Sequence, residues 1–177
     1  FFAAQPDAFE HAQFLNTKSY FHLLKQDYTS AYEALLEARK YANSSENLRA
    51  LAESYRLEGL ILDFSGEHAS ALEAMHQALD FYNEVGSDRA LLVYSAMGNV
   101  YMSLKNYELM LTFAHQYLAA AQRFNNKEGE GTAYFFQGYA QRALGEYQNA
   151  KVSLLLAENL LREANYPFIG IVHSAMV

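Results

Sequence analysis

The stretch "YSAMGNVYMSLKNYELMLTFAHQYL", Tyr94 to Leu118, sets a glycine inside what otherwise reads as an amphipathic helix. Glycine in a helix interior costs about 1 kcal/mol relative to alanine, so the packing has to require it. The rest of the chain shows how. Gly59, Gly98 and Gly138 lie 39 and 40 residues apart, and each follows a tyrosine by four residues: Tyr55, Tyr94 and Tyr134. A short polar turn comes next, "SGEH", "LKNY" or "LGEY", and then a second amphipathic stretch. Its matching places hold Ala71, Met75 and Ala78, then Met110, Ala114 and Tyr117, then Ala150, Leu154 and Ala157. A weaker copy precedes them, with Tyr28, Ala31, Leu35 and Ala38 in the second-stretch places and Ser19 where the glycine would be; a fifth begins at Pro167.

A period of about 40 residues in a chain of helical pattern marks a solenoid of stacked helix pairs. Two helices of a hairpin approach closely only where one lacks a side chain. The first-helix glycine and the second-helix alanines are therefore expected contact points, with Tyr94, Met97 and Tyr101 filling the space around them. Met110, in an alanine place, predicts a slightly wider crossing in its repeat. Helices are expected at residues 9–24 and 28–42, 47–64 and 68–85, 89–103 and 107–124, 129–143 and 147–164. Ser44 and Ser45 are candidate N-caps, Gly86 a helix stop with Ser87 as the next cap, and Pro167 suits the first turn of a new helix.

The pattern Tyr-x-x-Met-Gly-x-x-Tyr in "YSAMGNVY", continued by "KNYELM" and paralleled by "GEYQNA", resembles the tetratricopeptide repeat. The resemblance covers nearly the whole chain, in three strong copies and a weaker first one. Tryptophan is missing from the aromatic place and no proline closes the second helix; the period also exceeds the family's usual value of about 34 residues. The resemblance implies an all-α, right-handed superhelical solenoid of antiparallel hairpins. It would hold about four repeats, near 12–51, 52–90, 91–130 and 131–170, plus the start of a fifth, in one domain spanning 1–177. Long-helix arrays of this kind are similar to those in bacterial signalling proteins, including sensory segments attached to cyclic-dinucleotide enzymes and peptide-pheromone receptors.

Composition bounds the partners. With 51% hydrophobic residues and 2 prolines among 177, the chain can bury a substantial core. A net charge of -7, with no visible cluster of Lys and Arg, opposes binding to nucleic acid or an anionic membrane. No apolar run approaches the roughly 18 residues of a membrane span. The absence of cysteine excludes disulfides and thiolate chemistry and leaves cytoplasm and periplasm both open. Both ends, "FFAAQPDAFE" and "PFIGIVHSAMV", read as an excised piece of something longer.

Enzyme signatures are weak. "KEGEGT", Lys127 to Thr132, superficially resembles a phosphate loop, but Glu128 and Glu130 would repel a phosphate and no strand precedes it; a flexible inter-repeat turn is the expectation. Glu73, His76 and Asp80 share one helical face as a conceivable metal set, yet no further ligand is evident and a solvated face explains them. His68 stands where neighbouring copies have tyrosine and is expected to pack as an aromatic. No cofactor motif occurs.

Recognition is favoured over catalysis. In each first helix the residues one position after the Tyr and Gly face form a stripe, and the resemblance implies that this stripe lines the concave surface. It offers Asn16, Tyr20 and Leu23, then Arg56, Leu60 and Asp63, then Ser95, Asn99 and Met102, then Phe135, Tyr139 and Arg142. Only Arg56, Asn99 and Arg142 could grip a carboxylate, and they fall in separate repeats. The aromatic and apolar members favour a protein or peptide with an apolar face, with Tyr20, Asn99, Phe135 and Tyr139 contributing most. Phe168, Ile169, Val172 and the preceding helix are expected to be poorly covered, which suits self-association or a further repeat. The alternatives are a receptor for a short signalling peptide in a transcription regulator and, from another class, a metal-dependent enzyme built on Glu73, His76 and Asp80.

Overall fold

The structure, a computed structural model, describes residues 6–167 together with Gly170, Val172 and Ala175. Among the described residues eight helices follow one another: α1 (Pro6–Leu24), α2 (Tyr28–Ser44), α3 (Leu48–Phe64), α4 (His68–Glu84), α5 (Ala90–Leu104), α6 (Tyr107–Arg123), α7 (Lys127–Ala143) and α8 (Tyr147–Glu163). No strand occurs among the described residues. The fold is all-α, in antiparallel hairpins, and every helix end falls within three residues of the sequence expectation. Gly170, Val172 and Ala175 are helical, after a turn at Pro167.

The helix ends explain why the turns recur so regularly. A residue with left-handed backbone closes each turn: Gln26, Glu46, Gly66, Gly86, Lys105, Asn125, Gly145 and Asn165. The N–H after it reaches back to the last helical turn, as in Glu67 to Leu62 O at 2.8 Å and Glu146 to Gln141 O at 2.8 Å. Asp27, Asn47, Asn106 and Asn126 then cap the next helix through their side-chain oxygens. Asn47, rather than Ser44 or Ser45, caps α3, because α2 runs through Ser44 and Glu46 makes the left-handed turn. Gly86 stops α4 as expected, and the Ser87 hydroxyl accepts the Arg89 N–H at 3.3 Å.

The chain divides into two compact units, Phe1–Val93 and Tyr94–Val177. In the N-terminal unit, α3 packs on α1, α2 and α4. Ala12, Ala42, Ala50 and Leu51 form one buried cluster, and Leu23, Leu35, Leu57 and Ile61 another. Gly59 faces Met75 and the Ala71 carbonyl at the expected crossing, where an added Cβ would lie 2.6 Å from Met75 Cγ. In the C-terminal unit Gly138 meets Leu154 and the Ala150 carbonyl in the same way, and Tyr94 stacks on Tyr117 with centroids 5.4 Å apart.

Two expectations fail here. The nearest side chain over Gly98 is the ring of Phe136 from α7, the next first helix, rather than a residue of α6. "KEGEGT" is no flexible turn: it forms the first turns of α7, capped by Asn126, with Gly129 against Ala121 and Gly131 against Leu161. Its glycines serve helix packing. They read as turn residues only because a helix start and a loop share the same composition.

Candidate functional site

In the N-terminal unit a concavity of about 420 Å³ opens between α1, α3 and the end of α4. Arg49, Glu53 and Arg56 project from successive turns of α3, while Gln13, Asn16, Thr17 and Tyr20 do the same from α1. Glu53 lies at the centre. Its Oε1 accepts from Arg56 Nη2 at 2.7 Å, and its Oε2 accepts from Arg56 Nε at 3.0 Å and from the Tyr82 hydroxyl at 2.6 Å. Arg89 Nη1 stands 3.8 Å from the same oxygen.

Burial pushes the Glu53 carboxyl up, but the hydrogen bonds and charge of Arg56, the Tyr82 hydroxyl and Arg89 outweigh it and hold the group below the ordinary carboxylate range. Burial likewise disfavours the Arg56 cation, and Glu53 more than restores it. The Tyr82 phenol is pushed far above its usual range, first by burial and then by the Glu53 charge. The site is therefore a fixed ion pair with a phenol donor beneath it.

In the C-terminal unit a smaller pocket of about 210 Å³ is lined by Asn99 and Met102 from α5, Phe135 and Phe136 from α7, Leu161 from α8, and Val172. Ser95, Thr132 and Tyr166 add polar atoms to its wall. Burial raises the Tyr117 phenol well above its ordinary range, more than the Thr132 and Ser95 hydroxyls lower it.

Most of the twelve residues of the expected stripe fall into different concavities of the two units. Asn99, Met102 and Phe135 converge in the C-terminal pocket, with Ser95 beside them. Tyr20, Arg56 and Asn16 line the N-terminal concavity. Asn16 is also a strut, 4% exposed: its Nδ2 donates to Ala50 O at 2.8 Å and its Oδ1 accepts from the Ser54 hydroxyl at 2.7 Å. Leu60 and Leu23 border a second hollow of the N-terminal unit, about 330 Å³, with Tyr28 and Phe64.

Asp63, Tyr139 and Arg142 lie outside these three concavities. Asp63 pairs with His68 Nδ1 at 2.8 Å across the α3–α4 turn, and His68, half-buried, is engaged through its ring nitrogen. Tyr139 packs between the rings of Tyr107 and Phe135, at 6.3 and 6.2 Å. Arg142 Nη1 donates to Ala175 O at 2.8 Å and so ties down the last described helical turn.

Sequence reasoning missed Arg49, Glu53, Tyr82 and Arg89. Carrying the α3 stripe from Arg56 back by three and seven residues reaches Glu53 and Arg49. Tyr82 and Arg89 come from α4 and the following turn, where no such spacing points to them. Arg49, Arg56 and Arg89 border one cavity although no run of Lys and Arg marks it in the sequence.

Val172, expected to be poorly covered, is 1% exposed; Phe168 and Ile169 lie outside the described residues. On α8, Val152, Leu155 and Leu156 do remain exposed. Glu73, His76 and Asp80 are all exposed on α4, and no group of three or more His, Asp or Glu among the described residues is placed to hold a metal ion. No described helix is long and apolar enough to cross a membrane.

No family model and no curated protein matches the chain. Among solved structures it is similar to the apo form of RapI, with a TM-score of 0.80 at 15% sequence identity over 94% of this chain. That likeness is one of fold. The chain spans about half of its neighbour, 47% of the RapI chain.

Proposed function

We propose that this chain is a non-catalytic recognition module of tetratricopeptide type that binds a protein or peptide through an apolar side chain. The observation that supports this most is the C-terminal pocket, where Met102, Phe135 and Leu161 form an apolar wall and Asn99 presents an amide at the mouth. At about 210 Å³ the pocket is smaller than the roughly 300–1,000 Å³ of small-molecule sites. It suits one large side chain, and burying such a group contributes about 1.5–3 kcal/mol. Asn99, exposed on α5, is placed to hydrogen-bond the backbone of an extended ligand.

Catalysis has no comparable support. The buried Glu53 carboxylate is held ionised, with both oxygens engaged by Arg56 and Tyr82, so it has no proton to give as a general acid and its oxygens are already occupied against work as a base. The placement in a larger bacterial signalling protein, as a sensory or scaffolding segment or as a peptide receptor, rests on the sequence resemblance.

Selection of a phage-displayed library of short linear peptides on the immobilised chain tests the reading. The expected enrichment is for peptides sharing one large apolar residue, with binding lost on Met102→Glu. Enriched peptides without such a residue, or with unchanged binding to that variant, contradict it.

A further inference from the structure

We propose that the side chain taken by the C-terminal pocket is that of a tyrosine, an inference that rests on the recognition reading and deepens it by naming the chemistry the pocket selects. The pocket has two unlike sides. Met102, Phe135, Phe136, Leu161 and Val172 supply apolar atoms, whereas Ser95, Thr132 and Tyr166 bring hydroxyl groups to the same space of about 210 Å³. An aliphatic side chain would set those hydroxyls against carbon, and a small polar one would leave the apolar wall wet. A phenol matches both sides, since its ring is apolar and its far end donates and accepts.

The fold holds the hydroxyls in place. Ser95 stands one turn before Asn99 on α5, and Thr132 one turn before Phe136 on α7, so each of these helices offers a hydroxyl and then a larger group along one face. The Thr132 hydroxyl donates to Glu128 O at 2.8 Å, which commits its proton and leaves the oxygen as an acceptor for an incoming O–H. Behind them lies the Tyr117 phenol, 3% exposed, on which the Thr132 and Ser95 hydroxyls both act, so the polar strip continues beneath the pocket.

Two further features narrow the choice. Phe135 and Phe136 meet with ring centroids 5.6 Å apart and planes tilted by 54°, an arrangement that a third ring can extend, and the Met102 thioether is a favourable neighbour for an aromatic edge. Among the described residues no charged side chain lines the pocket. Burial and then the Glu128 charge raise the Tyr166 phenol, and the same charge adds to the burial that raises Tyr117. The floor therefore disfavours a second anion, whether a carboxylate or a phosphorylated tyrosine.

The probes are pentapeptides blocked at both ends, with alanine at every place but the central one, which is tyrosine, phenylalanine, leucine, serine or phosphotyrosine. Each is titrated into the intact chain while the Met102 methyl NMR signal is followed. The tyrosine peptide should bind saturably and about three- to tenfold more tightly than the phenylalanine peptide, the scale of one net hydrogen bond. Leucine should follow phenylalanine, with serine and phosphotyrosine weakest.

Ser95→Ala and Thr132→Val, each checked by circular dichroism, should bring the ratio of tyrosine to phenylalanine affinity toward one. The wild-type ranking stands as a test by itself if either variant folds poorly. Equal or tighter binding of the phenylalanine peptide, a ratio unchanged in both folded variants, or tightest binding of leucine, serine or phosphotyrosine overturns the assignment. A saturable Met102 response to phenylalanine or leucine in such a case leaves the apolar pocket standing, whereas no response to any of the peptides removes the tyrosine assignment and the pocket reading together.

Discussion

The ring of Phe136 lies over Gly98 so closely that a Cβ on that glycine would stand 2.2 Å from Cε2 and 2.4 Å from Cζ. The contact joins two first helices, α5 and α7, and explains the glycine in the middle of an amphipathic helix. Gly98→Ala gains about 1 kcal/mol of helix propensity. It also displaces a buried aromatic ring, and overpacking of this kind costs typically 1–3 kcal/mol. The variant should have a lower urea midpoint with an unchanged m-value. Adding Phe136→Leu should give a double variant more stable than the sum of the two single losses implies.

Tyr82 beneath Glu53 supplies a hydrogen bond to a charged acceptor, and such bonds contribute about 1.5–3 kcal/mol. Tyr82→Phe removes it without opening space, so thermal unfolding should show a loss in that range. The Glu53 carboxyl is held below its ordinary range, so its stabilising effect is full above the unfolded-state value of about 4.3 and is lost as pH falls through the folded value. Stability measured against pH should therefore drop on the acid side in the wild type. Glu53→Gln should be less stable near neutrality and flatter in acid.

The alkaline side has the opposite sign. The Tyr82 and Tyr117 phenols are both raised, mainly by burial, so their contribution is complete below the unfolded value of about 10 and fades as pH rises above it. Tyr117→Phe should weaken the alkaline fall in stability, read by unfolding at successive pH values, and ultraviolet titration should show phenols that ionise only as the fold is lost.

Lys105 has a left-handed backbone, with φ of 54°, at the place that Gly66 and Gly145 occupy in other turns. A side chain in this conformation costs roughly 1–2 kcal/mol. Lys105→Gly should raise stability by about 1 kcal/mol, checked by chemical denaturation, and Gly145→Lys should lower it.

The hairpins are legible in the sequence because the close crossings at Met75 and Leu154 each require a glycine, and a tyrosine four residues earlier, Tyr55 or Tyr134, recurs with it. The left-handed turns were only partly legible. Gln26, Glu46 and Lys105 adopt the conformation without being glycine, since the hydrogen bonds of the turn and the packing of both helices enforce it. Asn99, Met102 and Phe135 were found by their stripe on the first helices. The arginine cavity was not, because Tyr82 and Arg89 enter from a different helix and a turn, and Arg56 alone gave no sign that Glu53 would bind it. Spacing marks Gly98 as a contact point but cannot tell the second helix of one hairpin from the first helix of the next, and it is the Phe136 ring of α7 that lies nearest.

The central claim is that a partner's apolar side chain enters the pocket of Asn99, Met102 and Phe135. Its most direct test is the affinity of one selected peptide, measured calorimetrically for wild type and for Met102→Glu, with Glu73→Gln on exposed α4 as the control. Loss of about tenfold or more on Met102→Glu is expected, from the burial energy of one large apolar group, with the control unchanged. Equal affinity for all three proteins, each shown to be folded, would contradict the account.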